Sequence, residues 1–331
     1  MEEKIKISLP KGVRELLNKD CEDFKILKKN GTPNMNAFIN LLIVNFFEEF
    51  SASTESLHDG VREALFSVPE AYKQRAFDGI IKLLSGRTDY LGENGRSVTL
   101  AFKPTKSSRR EVSHIENLLL SSESQSSFYR RMLVSYSRKT KDERERIIHK
   151  ENYELLRHAE KRGMKVCITL SNGEVMNGLS VYSVAPSKDE LFNYVLAYSS
   201  KGNHTVRLAS VDIVAVLSDR AHIPEKNRKL FDRQVVCGVQ YPMYSTDDEP
   251  IRVRLTEKGK NLFKKIYLYR PTPVSIDGDV YTFDCSASQV LYYFERFGEN
   301  ALIISPKRIG IFMRNYYHYA LKKYRTLYDK E

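Results

Sequence analysis

The chain has 331 residues, enough for two or three domains with real cores, and its 53 Lys+Arg against 42 Asp+Glu give a net charge of +11. An excess of that size favours a polyanionic partner, nucleic acid first and an anionic membrane second. Cys21, Cys167, Cys237 and Cys285 lie too far apart for a CxxC or Cys/His metal site, and no apolar run, Leu41 to Val44 among them, is long enough to span a bilayer. Together with an opening Met-Glu-Glu-Lys-Ile-Lys that has no signal-peptide character, this predicts a cytoplasmic protein with reduced thiols, no metal, no cofactor and no membrane span.

In chain order, Ile5, Ile7 and Leu9 alternate with Lys4, Lys6 and Ser8 on one strand, and Pro10 stands where a helix can begin. A helix with Val13, Leu16/Leu17, Phe24 and Leu27 stops at Gly31, and Asn34 opens a second helix running to Phe46. Thr54 to Leu84 reads as two short helices, and the stretch Gly86 to Gly95 leads on from them. From Arg96 the opening pattern returns. Val98, Leu100 and Phe102 share a strand face, Pro104 precedes an amphipathic helix with Val112, Ile115 and Leu118/Leu119, and Ser124 opens a helix to Tyr136. Shifted by 90 positions, Asn34 falls on Ser124, Asn36 on Ser126, Phe38 on Phe128, Leu42 on Met132, Val44 on Val134 and Phe46 on Tyr136. This is an internal strand-helix-helix repeat.

The repeat resembles the ribbon-helix-helix family, whose units bury their apolar faces only in pairs. The resemblance implies a pseudo-dimer within one chain, built from residues 1–50 and 96–140, with residues 51–95 as a helical insert. It also implies that outward ribbon residues enter a DNA major groove. Those positions are Lys4, Lys6 and Ser8 in the first copy, and Ser97, Thr99 and Ala101 in the second, which has little hydrogen-bonding reach. The starts of the second helices, at Asn34, Asn36, Ser124 and Ser126, are the matching candidates for backbone phosphate.

Residues 103–165 carry 16 basic against 9 acidic side chains, many in i,i+4 register with acids as on a solvated helix face. Lys141 to Arg162 reads as one charged helix with Ile147/Ile148, Leu155/Leu156 and Ala159 as its stripe. After Gly163 the period becomes two. Val166, Ile168 and Leu170 lead into a Ser171-Asn-Gly turn, and strands follow at Leu179 to Val184, Phe192 to Tyr198, Thr205 to Leu208 and Val211 to Leu217. Five short strands after a helix predict a small barrel.

This order, with Tyr194-Val-Leu-Ala-Tyr198 and Val206-Arg207-Leu208, resembles the WYL domain, an Sm-like (SH3-like) barrel. The name-giving Trp-Tyr-Leu falls on Asn193, Tyr194 and Val195, and the second of the family's usual arginines falls on Ser210. The resemblance implies that residues 141–220 bind nucleic acid or a nucleotide through Asn193, Tyr194, Tyr198, Lys201, His204 and Arg207. From the residues alone, Tyr194 and Tyr198 either stack bases or fill the barrel core, whereas Arg207, between inward Val206 and Leu208, points outward.

Residues 221–331 read as a strand at 251–255, a helix at 256–267, a strand at 279–285, a capping-box helix from Ser286-Ala-Ser-Gln289, a strand at 301–304 and a long helix to Tyr324. Gly298 to Arg308 resembles the end of the WYL C-terminal extension, a ferredoxin-like α+β unit, which implies a homodimer. Tyr316, Tyr317, Tyr319, Tyr324 and Tyr328 with Lys322, Lys323 and Arg325 on the last helix suit packing in that dimer first and RNA second.

Walker, HExxH, GxSxG and GxGxxG signatures are absent. Arg109/His114 and Arg144/His149 fit the loose R-x4–6-H pattern of HEPN ribonucleases, but seven histidines in an Arg-rich chain give roughly one or two such matches by chance. The expected fold is α+β. The pairing of ribbon-helix-helix units with a WYL domain resembles the WYL accessory proteins of type VI-D CRISPR systems. That resemblance implies a non-enzymatic protein that binds single-stranded RNA and modulates an RNA-guided CRISPR effector. The alternative is a DNA-binding transcriptional regulator whose WYL domain senses a ligand, with duplex DNA as its partner.

Overall fold

The computed structural model describes residues 4–86, 97–118, 124–244 and 249–328. The chain divides into two compact units, Met1–Glu151 and Asn152–Glu331. The connection expected over 87–95 and the apolar position Leu119 lie outside the described residues.

In the first unit, β1 (Ile5–Pro10) pairs antiparallel with β2 (Ser97–Phe102) in the register Ile5↔Phe102, Ile7↔Leu100 and Leu9↔Val98. This is the intrachain ribbon that the repeat predicts. Ile7, Leu9, Leu100 and Phe102 are buried, each contributing about 1.5–3 kcal/mol, so a one-residue slip would expose the whole set. Around the ribbon stand α1 (Lys11–Asp23), α2 (Met35–Ala64), α4 (Arg109–Leu118) and α5 (Gln125–Ser137), with α3 (Glu70–Gly86) following α2. The repeat positions Phe38/Phe128, Leu42/Met132 and Phe46/Tyr136 are all buried. The first of the two short helices expected after Thr54 is instead the second half of α2. The reason is local: no Gly or Pro interrupts residues 35–59, although the last buried position on α2 is Phe50.

Each copy holds the other through polar contacts at equivalent positions. Asn36 Oδ1 accepts the Lys103 N–H at 2.8 Å, and Ser126 Oγ accepts the Ser8 N–H at 3.5 Å. Asn40 Nδ2 donates to Lys103 O at 2.9 Å, and Arg130 Nε donates to Ser8 O at 2.6 Å. Asn40 Oδ1 also receives the Thr105 N–H at 2.9 Å and the Ser108 hydroxyl, fixing the turn before α4.

The single helix expected over 141–162 is two, α6 (Lys141–Ile148) and α7 (Lys150–Arg162), because His149 leaves helical geometry. A Thr140/Glu143 capping box starts α6.

In the second unit, β3 (Met164–Leu170), β4 (Val175–Pro186), β5 (Asn193–Ser199), β6 (Gly202–Arg207) and β7 (Val211–Arg220) form an antiparallel sheet in the order β6-β5-β4-β3-β7. The closed barrel expected from the sequence is corrected to an open sheet, since the edge strands β6 and β7 do not pair. They are nonetheless joined by one three-residue 3-10 turn, Leu208–Ser210. Five flat strands would set the edges about 19 Å apart, and the four Cα–Cα steps from Arg207 to Val211 reach at most about 14 Å, so the sheet must curl. Inside the curl lies a core of Val166, Ile168, Leu179, Val181, Val195 and Leu208 with Leu156 and Ala159 of α7.

The remainder runs β8 (Ile251–Leu255), α9 (Glu257–Lys265), β9 (Pro273–Asp277), β10 (Val280–Phe283), α10 (Ala287–Phe294), β11 (Ala301–Ser305) and α11 (Lys307–Tyr328). Its sheet order is β11-β8-β10-β9, and α9, α10 and α11 cover one face over Phe263, Phe283, Tyr293 and Phe294. Of the capping box expected at α10, half forms. Ser286 Oγ accepts the Gln289 N–H at 3.1 Å, while the Gln289 amide reaches Cys237 O.

Candidate nucleic-acid interface

On the ribbon, alternation leaves Lys4, Lys6, Thr99 and Ala101 exposed and Ser8 half-buried. Lys6 lies opposite Ala101 and Ser8 opposite Thr99, so the charge of this face is carried by the first copy alone. A groove of about 650 Å³ opens beside β1 between the starts of α4 and α5, lined by Lys4, Lys6, Arg109, Ser113, Glu116 and Ser126 among others. Three cations against one carboxylate make it a basic groove. The predicted helix-start residues are engaged within the fold. Asn34 caps α2 through the Ala37 N–H at 3.2 Å, Ser124 caps α5 through the Ser127 N–H at 3.3 Å, and Asn36 and Ser126 hold the opposite copy's backbone. Of the four, Ser124 and Ser126 also line the groove.

In the second unit the predicted set divides between the two faces of β5 and β6. Val195 and Ala197 point into the curled core, so Tyr194, Leu196 and Tyr198 point away from it. Cross-strand register puts Arg207 beside Tyr194 and Asn203 beside Tyr198 on that same outer face. The outer face is not bare. The helix α8 (Glu225–Cys237) lies on it through Phe231, with Tyr182 stacked on the Phe231 ring at 4.9 Å. Gln234 of α8 donates to Thr205 Oγ1 at 2.9 Å, and Asn227 donates to Asn203 Oδ1 at 2.9 Å. Tyr194 and Tyr198 are therefore half-buried beneath a helix, in neither of the two places open to them from the sequence. The Arg207 guanidinium sits 3.4 Å from the Phe192 ring centre. Outward Arg207 was legible; its partner Phe192 and the cover of α8 were not.

The other predicted residues lie elsewhere. Asn193 alternates with Tyr194 onto the core side and is buried. His204 pairs with Ala197 on that side too, its Nε2 bonded to Ser199 Oγ at 2.7 Å. Burial, with Lys201 adding to it, pushes the His204 imidazole below its usual pKa, so it is neutral at pH 7. Lys201 is exposed at the β5–β6 turn. Tyr194, Tyr198 and Arg207 thus share one face, with Lys201 at its end.

This fold has a solved counterpart. No family model and no curated protein matches the chain in sequence. In three dimensions it is similar to a solved structure described as the crystal structure of a CRISPR Cas-related protein, with a TM-score of 0.65 and 18% identity over 99% of this chain and 95% of that one. At that identity the likeness is one of fold, and it embraces both units. A second structure, proteasome accessory factor B/C (PafBC) of Arthrobacter aurescens, covers 68% of this chain and 39% of its own at 16% identity with a TM-score of 0.24, too low to carry any argument.

The two Arg/His pairs are placed as follows. Arg144 donates to buried Asp20 from Nε at 2.7 Å and from Nη2 at 3.0 Å, and from Nη1 to Lys139 O at 2.7 Å. His149 Nε2 meets Phe24 O at 3.1 Å. His114 packs edge-on against Phe47, with ring centres 5.5 Å apart, and Arg109 lines the ribbon groove. Among the described residues no group of three or more His, Cys, Asp or Glu is arranged to hold a metal ion, and no helix is long and apolar enough to cross a membrane.

Proposed function

We propose that this chain is a non-enzymatic, single-stranded-RNA-binding accessory protein of a CRISPR system, acting in the cytoplasm as a homodimer to enhance an RNA-guided RNA-cleaving effector. The observation that carries the reading is the fold likeness over 99% of the chain to a CRISPR Cas-related protein, which takes in both units at once. On this reading the first unit is a ribbon-helix-helix pseudo-dimer, the curled sheet is an Sm-like WYL domain, and the β-α-β-β-α-β remainder is its ferredoxin-like extension. The +11 charge supports a polyanionic ligand. Arg207, Tyr194 and Tyr198 on one face, with Lys201 at its end, would supply backbone charge and apolar contact at the sheet edge. The test adds the purified protein to a reconstituted RNA-guided RNA nuclease. RNA cleavage should accelerate with the protein present, and the protein alone should leave the RNA intact.

A second reading is favoured by one specific observation, the paired ribbon with Lys4 and Lys6 outward beside a basic groove. On it, the chain would be a DNA-binding regulator whose WYL domain senses a ligand.

A further inference from the structure

The helix α11 is anchored over its first half only. Ile309 and Met313 are buried, Gly310 allows close approach to the Ile303 carbonyl, and the Tyr317 hydroxyl donates to Glu295 O at 2.8 Å. From His318 to Tyr328 every residue is exposed. A helix of this length leaves solvent on all sides only if its side chains suit water or a ligand. Here they are both charged and aromatic. Lys307, Arg308, Arg314, Lys322, Lys323 and Arg325 lie within the helix, and Asp or Glu does not occur in it. Tyr316 is 48% exposed and Tyr319 67%.

Spacings of three and seven place Tyr316, Tyr319 and Lys323 on one stripe. Together with Ala320, Lys322 and Thr326 they line a groove of about 510 Å³ on the helix surface. From Tyr316 to Thr326 the stripe extends about 15 Å.

We propose that this stripe is a second binding site for single-stranded RNA, with unpaired bases on the Tyr316 and Tyr319 rings and backbone phosphates at Lys322 and Lys323. The site rests on the RNA-binding reading above and extends it to an element remote in sequence from Arg207. Three features fix the ligand class. Cations without a single carboxylate select a polyanion. Open tyrosine faces interleaved with lysines suit unpaired bases, which a duplex keeps stacked out of reach. A second copy laid along the same stripe would bring its own Lys322 and Lys323 to a surface that already carries that pair, with no acid in the helix to offset them, which like-charge repulsion disfavours.

The test compares wild type with Tyr316→Ala/Tyr319→Ala, Tyr316→Phe/Tyr319→Phe and Lys322→Gln/Lys323→Gln. Each is titrated with a fluorescent single-stranded RNA at several salt concentrations, and in parallel with phosphatidylserine-containing vesicles. All substituted side chains are exposed, so thermal melting should be unchanged. The alanine pair should weaken RNA binding roughly tenfold or more, and the phenylalanine pair, which keeps the ring faces, should bind like wild type. The glutamine pair should flatten the slope of log affinity against log salt by about 1.4, from two phosphates at about 0.7 each. Wild-type RNA affinity and slope in the alanine and glutamine pairs overturn this site alone, including the case where only vesicle binding or self-association is lost. A wild-type protein that binds no single-stranded RNA overturns this site and the proposed function together.

Discussion

Arg144 closes on Asp20, 124 residues earlier, with two hydrogen bonds of 2.7 and 3.0 Å, and the Tyr136 hydroxyl donates to the same carboxylate at 3.1 Å. Asp20 is 1% exposed, so this bidentate pair is shielded from water and fastens α6 to α1 within the first unit. Burial and the adjacent Asp20 carboxylate hold the Tyr136 phenol well above its usual pKa, so it stays protonated and donating. Removing one partner of a buried pair leaves the other charge uncompensated. Asp20→Asn should therefore lower unfolding free energy by about 3–5 kcal/mol in urea titration. A loss below about 1 kcal/mol would mean that the pair does not hold α6 in place.

Asn40 supports a second prediction, on the contact between copies. Its side chain serves Lys103 O, the Thr105 N–H and the Ser108 hydroxyl at once, and it is 3% exposed. Asn40→Ala orphans buried backbone groups and should cost about 1–3 kcal/mol. Hydrogen exchange should locate the loosening at the β2 end of the ribbon; uniform protection there would count against this latch.

Catalysis by the Arg144/His149 pair is not expected, because the Arg144 guanidinium is committed to Asp20 and His149 Nε2 to the Phe24 carbonyl, and Arg109/His114 is tested beside it. Wild type and the His114→Ala/His149→Ala variant should both leave labelled RNA intact over long incubation with chelator. Cleavage by wild type that disappears in the double variant would restore an enzymatic reading.

His204 predicts a pH dependence of stability. Its folded pKa lies below the unfolded value, so the unfolded state takes up the proton first. The contribution is fully present above about pH 6.5 and is lost as pH falls through that value towards the folded one. Melting temperature should drop from pH 7 to 5.5, and His204→Gln should reduce the drop. An identical pH profile in the variant would remove His204 as its source.

The ribbon and its helices were legible because one-sided burial writes an alternation, as in Ile5/Ile7/Leu9, and because the chain writes it twice. The second unit was harder to read where a strand is covered on both sides. On β5 the inward Val195 and Ala197 are as apolar as the outward Leu196, so period two cannot say that α8 waits on the outer face. The stripe of α8 is itself broken by a buried Gln234. The strand β9 has no strand signature in the sequence because Pro273 opens it, which an edge strand tolerates. The division of the site residues between two faces depends on register, and that is set by the Tyr194↔Arg207 pairing rather than by composition.

The central claim, RNA rather than duplex DNA as the ligand, is tested most directly by competition at physiological salt. A labelled single-stranded RNA bound to the protein is displaced with unlabelled RNA or with duplex DNA of the same length, for wild type, Arg207→Ala and Lys4→Ala/Lys6→Ala. RNA should displace at far lower concentration than the duplex. Arg207→Ala should weaken RNA binding and flatten its salt slope by about 0.7, and the ribbon pair should lower duplex affinity while sparing RNA. Displacement by duplex DNA at equal or lower concentration, with RNA binding lost in the ribbon pair and intact in Arg207→Ala, would contradict the account and make the ribbon the binding site.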